Sequence, residues 1–178
     1  QRQMCIRDSC YGLPEIVIPD SVTTIEEEAF SGCTSLQEII VPDSVVKMGN
    51  HVFGGCRSAT RIVFPKYLTY LPGYGVSFCN YMVEFVFPEN VKSISDYFFY
   101  GCISLKEIVI PDTVTTIDFR AFWDCTSLTR ITIPASVTKI DSTAFDGCKK
   151  DKLVWVVTPG SYAETYAKKN YYHYVYAK

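Results

Sequence analysis

Residues 105–125 read LKEIVIPDTVTTIDFRAFWDC, and the same pattern recurs along most of the chain. Proline returns every 23 residues, at Pro19, Pro42, Pro65, Pro88, Pro111 and Pro134. Cysteine keeps the same interval, at Cys10, Cys33, Cys56, Cys79, Cys102, Cys125 and Cys148. Self-similarity at a fixed period of about 20–50 residues is typical of repeat proteins whose units stack. The sequence therefore predicts a solenoid of equivalent coils.

Each coil contains a short strand that ends at the proline. In the copy that begins at Leu36, that residue, Ile39 and Val41 are expected inside, and Glu38 and Ile40 outside. Proline ends the strand because it has no N–H to donate to the next coil. The return path carries further inward-pointing residues, here Val45, Met48, Val52 and Phe53. Because one coil cannot bury this face alone, we expect coils to stack at about 4.8 Å around one core, with a parallel sheet.

This unit resembles the BspA-like leucine-rich repeat of large surface proteins from oral and gut bacteria and some protozoan parasites. The resemblance covers residues 10–148, and residues 160–169 resemble the way such arrays end. It implies an α/β-type repeat solenoid with a parallel sheet on the concave face, a mostly irregular or short-turn convex side, and a C-terminal helix-strand cap. It also implies an adhesion module, extracellular or at the cell surface, whose ligand is a host matrix or cell-surface protein.

Three segments are expected along the chain. Residues 3–9, QMCIRDS, resemble the translation of a transposase mosaic-end adapter used to prepare sequencing libraries, so residues 1–9 are interpreted as a non-native or disordered leader on a partial fragment. Residues 10–148 form the repeats. Residues 149–178 form the cap: a strand at 153–157, a short helix that begins at a capping box of Ser161 and Glu164, and a strand at 171–176.

The cysteines are interpreted as structural. Residues 23 apart occupy equivalent places on successive coils, so their side chains run parallel about 5 Å apart, whereas a disulfide needs Cβ atoms at about 3.8 Å on converging vectors. No Cys-x-x-Cys or Cys/His pair suggests zinc. We therefore expect a buried ladder of thiols, each weakly bonded to turn backbone.

The coil at residues 65–87 departs from the pattern. Val76 interrupts a phenylalanine spine otherwise expected to stack through Phe30, Phe53, Phe99, Phe122 and Phe145. Gly75 replaces the usual alanine, and Phe78 stands where a small or polar residue is usual. The turn-rich stretch 71–75 predicts a distortion. The aromatic residues around it give a candidate patch of Tyr74, Tyr97, Tyr100 and Trp123, which either covers the defect or recognises a ligand.

The outward positions of the strands form two lines on one face. The first line is charged and consists of Glu15, Glu38, Arg61, Glu84, Glu107 and Arg130. The second is aliphatic apart from its last member and consists of Val17, Ile40, Val63, Val86, Val109 and Thr132. An aliphatic stripe beside charges predicts a protein-binding groove, in which the stripe supplies buried area and the charges set register. The alternative is that β-branched residues stand there for strand propensity alone.

Composition and motifs argue against other classes. A net charge of −2 does not favour nucleic acid, and no run of 18 apolar residues predicts a membrane-spanning helix. The two histidines, His51 and His173, lie in distant coils, and no nucleophile elbow, phosphate loop or dinucleotide fingerprint is present. We therefore expect a monomeric, non-catalytic protein without cofactor or metal. A structural spacer, an intracellular scaffold and a sugar-binding surface of exposed, coplanar rings remain as alternative functions.

Overall fold

The computed structural model describes residues 12–177. The leader predicted at residues 1–9 and the first cysteine of the ladder, Cys10, lie outside the described residues. The remaining predictions fall on the described part of the chain.

Stacked coils carry short strands on two sides. The strands are β1 (Thr24–Ile25), β2 (Glu38–Ile40), β3 (Lys47–Met48), β4 (Arg61–Val63), β5 (Glu84–Val86), β6 (Ser93–Ile94), β7 (Glu107–Val109), β8 (Thr116–Ile117), β9 (Arg130–Ile133), β10 (Lys139–Ile140), β11 (Val154–Val157) and β12 (His173–Tyr176). A helix, α1 (Tyr162–Lys169), lies between the last two strands. Turns connect the elements.

All paired strands run parallel. On one side, β2, β4 and β5 form a three-stranded sheet, and β7, β9, β11 and β12 form a four-stranded one. Partners in neighbouring repeats are 23 residues apart, as Ile39, Ile62 and Phe85 are. This arrangement confirms the predicted leucine-rich-repeat solenoid, with its parallel sheet and turn-rich return side. On the return side, β1 pairs with β3, and β6, β8 and β10 form a further sheet, neither of which the sequence predicts.

The phenylalanine spine forms as predicted on both sides of its interruption. The ring centroids of Phe30 and Phe53 lie 5.4 Å apart with 12° between the planes. Phe122 stacks between Phe99 at 5.0 Å and Phe145 at 5.1 Å. Since each ring contacts the equivalent ring of the next coil, the spine couples successive coils through dispersion and apolar burial.

The cysteines form the predicted ladder, and all those from Cys33 to Cys148 are buried. Five thiols donate to the carbonyl of the spine position one coil earlier: Cys56 to Phe30, Cys79 to Phe53, Cys102 to Val76, Cys125 to Phe99 and Cys148 to Phe122. The Sγ–O distances run from 3.1 to 3.3 Å. Burial raises the pKa of Cys79 and of Cys148 to about 12, so both stay protonated at neutral pH.

The space left by Val76 is filled from the following coil. Phe98, which stands at the position of Ala121 and Ala144 in other coils, is fully buried. Its ring packs edge-on against Phe99 at 4.7 Å and 85°. A Cβ on Gly75 would lie 2.5 Å from the same ring. The small side chains at Gly75 and Val76 are therefore compensated by the large side chain of Phe98 in the next coil.

A tyrosine side chain replaces a missing strand in the distorted coil. The positions equivalent to β3 and β6 are Tyr70 and Leu71, which form no strand. The Tyr70 hydroxyl donates to the Met48 carbonyl and accepts from the Met48 N–H, both at 2.8 Å. It thereby satisfies the backbone groups that the missing strand leaves at the edge of β3.

The C-terminal cap closes the solenoid with a strand, a helix and a strand. β12 pairs in parallel with β11, and Ala163 and Ala167 of α1 are fully buried. Ser161 is the N-cap, and its Oγ accepts from the Glu164 N–H at 3.2 Å. The Glu164 carboxylate reaches back to the N–H of Gly160 at 2.7 Å, one residue before the group used in a regular capping box.

Glu164 is the polar centre of the cap, which gives a pH-dependent prediction. Its carboxylate also accepts from Lys168 Nζ at 2.6 Å and from the Tyr176 hydroxyl at 2.8 Å. The hydrogen bond from Lys168, followed by that from Gly160, lowers the pKa of Glu164 from 4.5 to about 2. A carboxylate with a lowered folded-state pKa stabilises the fold fully above its unfolded pKa, and that stability is lost as pH falls through the folded value.

We therefore expect Glu164→Gln to lower the thermal unfolding midpoint at pH 7. The difference from wild type should shrink between pH 4.5 and about pH 2, where the wild-type carboxylate becomes protonated. Circular dichroism melts across this range measure the effect, with the exposed Glu89→Gln as a matched control. A difference that stays constant down to pH 2 would show that the charge of Glu164 does not stabilise the cap.

Candidate binding face and aromatic ladder

Three charged residues on the sheet face form one ion-pair network. Arg61 Nη1 donates to Glu38 Oε1 at 2.7 Å, and Arg61 Nε donates to Glu84 Oε1 at 3.1 Å. The three residues are strand partners, so strand register sets this geometry. The hydrogen bond to Glu38, followed by that to Glu84, raises the pKa of the Arg61 guanidinium. Because these side chains face solvent, the network adds little to stability and stays accessible to a partner.

The aliphatic line lies beside the charges, and solvent reaches it. Val17 is 86% exposed, Ile40 is 52% exposed and Val109 is 67% exposed. Val63 is the strand partner of Ile40, Val86 is the strand partner of Val63, and both valines are half-buried. Apolar side chains that remain open on a rigid sheet are candidates for burial by a partner.

The predicted face is assembled in two segments. The residues in β2, β4 and β5 that come together are Glu38, Ile40, Arg61, Val63, Glu84 and Val86. Those in β7 and β9 are Glu107, Val109, Arg130 and Thr132. Among residues 12–177 no strand pairing joins β5 to β7. Phe85 and Phe87, whose ring centroids lie 4.9 Å apart, occupy the inner side of this break, and Glu15 and Val17 precede the first strand.

A ladder of stacked side chains follows the turn side at 23-residue spacing. It consists of His51, Tyr74, Tyr97 and Arg120. Ring centroids lie 4.3 Å apart between the first two and 4.4 Å apart between the second and third, with planes 14° and 10° apart. Arg120 Nη1 donates to the Tyr97 hydroxyl at 3.3 Å. Burial raises the pKa of Tyr74, and the neighbouring Tyr97 raises it further.

A second aromatic column stands beside this ladder. The rings of Tyr100 and Trp123 stack at 4.7 Å, and the guanidinium carbon of Arg120 lies 4.0 Å from the Trp123 ring centroid. The four residues of the predicted patch therefore lie together and are half-buried. The ring faces of Tyr74 and Tyr97 are covered by their neighbours, so they do not form the open, coplanar platform expected for sugar binding.

Sequence reasoning missed the two ends of the ladder, His51 and Arg120. The four ladder residues share a backbone conformation, with positive φ angles between 52° and 56°. Such angles are uncommon for residues other than glycine. The 23-residue spacing could have identified the column, since it places these side chains one above the other.

Within residues 12–177, no group of three or more histidine, cysteine or acidic side chains could hold a metal ion. Burial raises the pKa of the Cys79, Cys102, Cys125 and Cys148 thiols, so these four side chains carry little thiolate at neutral pH. In the same part of the chain, α1 is the one helix, and it is too short to span a bilayer.

Comparison with known proteins decides the family. Six copies of the model for the BspA type leucine rich repeat region match the chain, over residues 5–129 and 92–167. The chain belongs to the BspA-type leucine-rich repeat family. No curated protein matches this BspA-type chain.

Solved structures support the BspA-type assignment. A leucine-rich repeat protein of Bacteroides ovatus is 28% identical with a TM-score of 0.78, over 94% of this chain and 43% of its own. A leucine-rich repeat protein of Eubacterium ventriosum is 29% identical with a TM-score of 0.72, over 76% and 37%. A leucine rich cell surface protein of Faecalibacterium prausnitzii is 32% identical with a TM-score of 0.55, over 86% and 34%. The BspA-type chain therefore spans less than half the length of these three proteins.

Proposed function

We propose that this chain is a non-catalytic protein-binding module of a larger cell-surface or secreted adhesin, and that its sheet face contacts the ligand. The observation that carries this proposal is the exposed aliphatic line beside the network of Glu38, Arg61 and Glu84. The location is supported by the similarity to a protein described as a leucine rich cell surface protein. A host matrix or cell-surface protein is the proposed partner.

The two lines of the face have different roles in this proposal. Burying exposed Ile40 and Val109 supplies affinity, because removing apolar surface from water contributes about 25 cal/mol per Å². The charged trio is net negative, so it favours a partner with a basic patch and raises the association rate. A structural spacer or an intracellular scaffold with no ligand on this face is the main alternative, and it predicts that the face tolerates change.

The test is a binding measurement against purified fibronectin, laminin and type I collagen by biolayer interferometry. For a protein that binds wild type, we expect the double variant Ile40→Thr/Val109→Thr to bind roughly fiftyfold more weakly, since it removes three methyl or methylene groups that contribute about 0.8 kcal/mol each. Val46→Thr/Ile103→Thr is the matched control, because it makes the same two exchanges at exposed positions outside the face. Equal losses in both variants, or no binding by wild type, would favour the spacer.

A further inference from the structure

Phe78 occupies a backbone position that suits glycine. The equivalent residues of successive coils are Gly32, Gly55, Phe78, Gly101, Asp124 and Gly147, and all have positive φ. At a φ of 56°, the bulky side chain of Phe78 is strained, since its Cβ crowds the backbone. The ring is also 43% exposed, so a large part of its apolar surface stays in contact with solvent. Strain that the fold does not need is a reason to look for a role in binding.

The ring of Phe78 stands at one end of a stretch of surface, the floor, that is formed by glycine backbone. On one side it contacts Tyr100, with centroids 4.3 Å apart, and it covers Gly101, where a Cβ would lie 2.8 Å from the ring. On the other side lie Gly54 and Gly55 of the preceding coil. The equivalents of Gly54 in the two coils beyond Phe78 are Tyr100 and Trp123. The surface is therefore higher over the rings of Tyr100 and Trp123 than over the glycine floor. The Phe78 ring forms the wall of this step.

The cleft at this step has a volume of about 400 Å³. The stacked pair of His51 and Tyr74 bounds it, and the hydroxyl residues Ser31 and Thr34 also line it. The Ser31 hydroxyl donates to the Gly54 carbonyl at 3.3 Å, so its oxygen can accept a further hydrogen bond. Arg57, which lines the cleft as well, is exposed, and no carboxylate among residues 12–177 forms an ion pair with it. The cleft thus combines a ring wall, hydroxyl groups and an exposed cation, and its volume lies at the lower end of the range for small-molecule sites.

We propose that this cleft binds the hexuronate unit of an acidic saccharide, as a site separate from the sheet face. A pyranose ring has an apolar C–H face, which would pack on Phe78, and a perimeter of hydroxyl groups, which would bond to the serine and threonine hydroxyls. The carboxylate at C6 would pair with the guanidinium of Arg57, which can donate two parallel hydrogen bonds to the carboxylate oxygens. A shallow cleft suits one sugar ring better than a long apolar side chain.

Saturation-transfer NMR on the full chain tests the proposal, with methyl β-D-glucuronide as the probe and methyl β-D-glucoside and N-acetylphenylalaninate as comparison ligands. We expect the glucuronide alone to bind. Arg57→Gln should weaken its binding by at least about tenfold, because it removes the positive charge from the two-point pair with the carboxylate. Phe78→Gly restores the residue usual at this position and should abolish binding. Ser31→Trp should abolish it too, because Ser31 is the repeat equivalent of Trp123 and an indole ring there would cover the glycine residues of the cleft. Lys47→Gln, an exposed cation on β3, should leave it unchanged.

The outcomes that overturn the proposal are distinct from failure of the sheet-face function. No saturation transfer to the glucuronide would reject the site. Equal binding of the glucoside would reject the role of Arg57, and preferred binding of N-acetylphenylalaninate would assign the cleft to a peptide carboxylate. Glucuronide binding that survives Ser31→Trp would place the sugar elsewhere on the chain.

Discussion

Phe122→Ala is expected to lower the free energy of unfolding by about 3–5 kcal/mol, the usual cost of truncating a fully buried phenylalanine. Phe122 is inaccessible to solvent and stacks on Phe99 and Phe145, so its removal leaves a cavity that breaks the spine at a second place. In a solenoid, stability is largely a sum of contacts between neighbouring coils. Loss of this interface therefore weakens the coupling of the C-terminal coils to the rest.

Urea unfolding followed by circular dichroism measures this effect. Phe119→Ala is the matched control, because that ring is 38% exposed and contacts Tyr97 edge-on at 5.3 Å. Truncation there should cost less than about 1 kcal/mol. If the two variants lose the same stability, stacking in the spine does not hold the coils together.

The second large effect concerns the exchange between Gly75 and Phe98. Gly75→Ala should cost about 1–3 kcal/mol, because the new Cβ overlaps the Phe98 ring. Phe98→Ala should cost about 3–5 kcal/mol, since it empties the space beside Val76. In the double variant the clash disappears, so the total cost should fall below the sum of the single costs by more than about 1 kcal/mol.

A double-mutant cycle by urea unfolding measures this coupling. Gly73→Ala combined with Phe98→Ala is the control cycle, because the nearest atom to a Cβ on Gly73 is Asn50 Oδ1 at 3.4 Å. The control costs should add to within about 0.5 kcal/mol. Additive costs for Gly75 and Phe98 would mean that the two coils do not compensate one another.

Much of the fold could be predicted because the repeat length determines which residues stack on one another. A constant 23-residue interval stacks equivalent residues, so the spine, the cysteine ladder and the outward lines follow from the sequence. The strands of the return side could not be predicted, since a two-residue strand such as Lys47–Met48 is too short to show alternation. The role of Tyr70 was hidden for a different reason: its hydroxyl acts on the backbone of the preceding coil, not on its own.

The candidate site was predictable where it depends on strand alternation alone. Glu38, Arg61 and Glu84 pair as the register requires. The break between β5 and β7 escaped prediction because the outward positions keep their 23-residue spacing across it. The cleft beside Phe78 also escaped, because its shape depends on the absence of side chains at Gly54 and Gly55 as much as on the ring itself.

The proposed ligand-binding face requires that the outward lines form one surface across the break between β5 and β7. Spin labels at Ile40 and Thr132 test it by pulsed electron paramagnetic resonance, since these residues lie four coils apart on the aliphatic line. With coils spaced by about 4.8 Å, the two backbones lie about 19 Å apart. We therefore predict a single distance between the two nitroxides near that value. A much longer distance, or two separate distances, would show that the two sheet segments face different directions and that no continuous binding face exists.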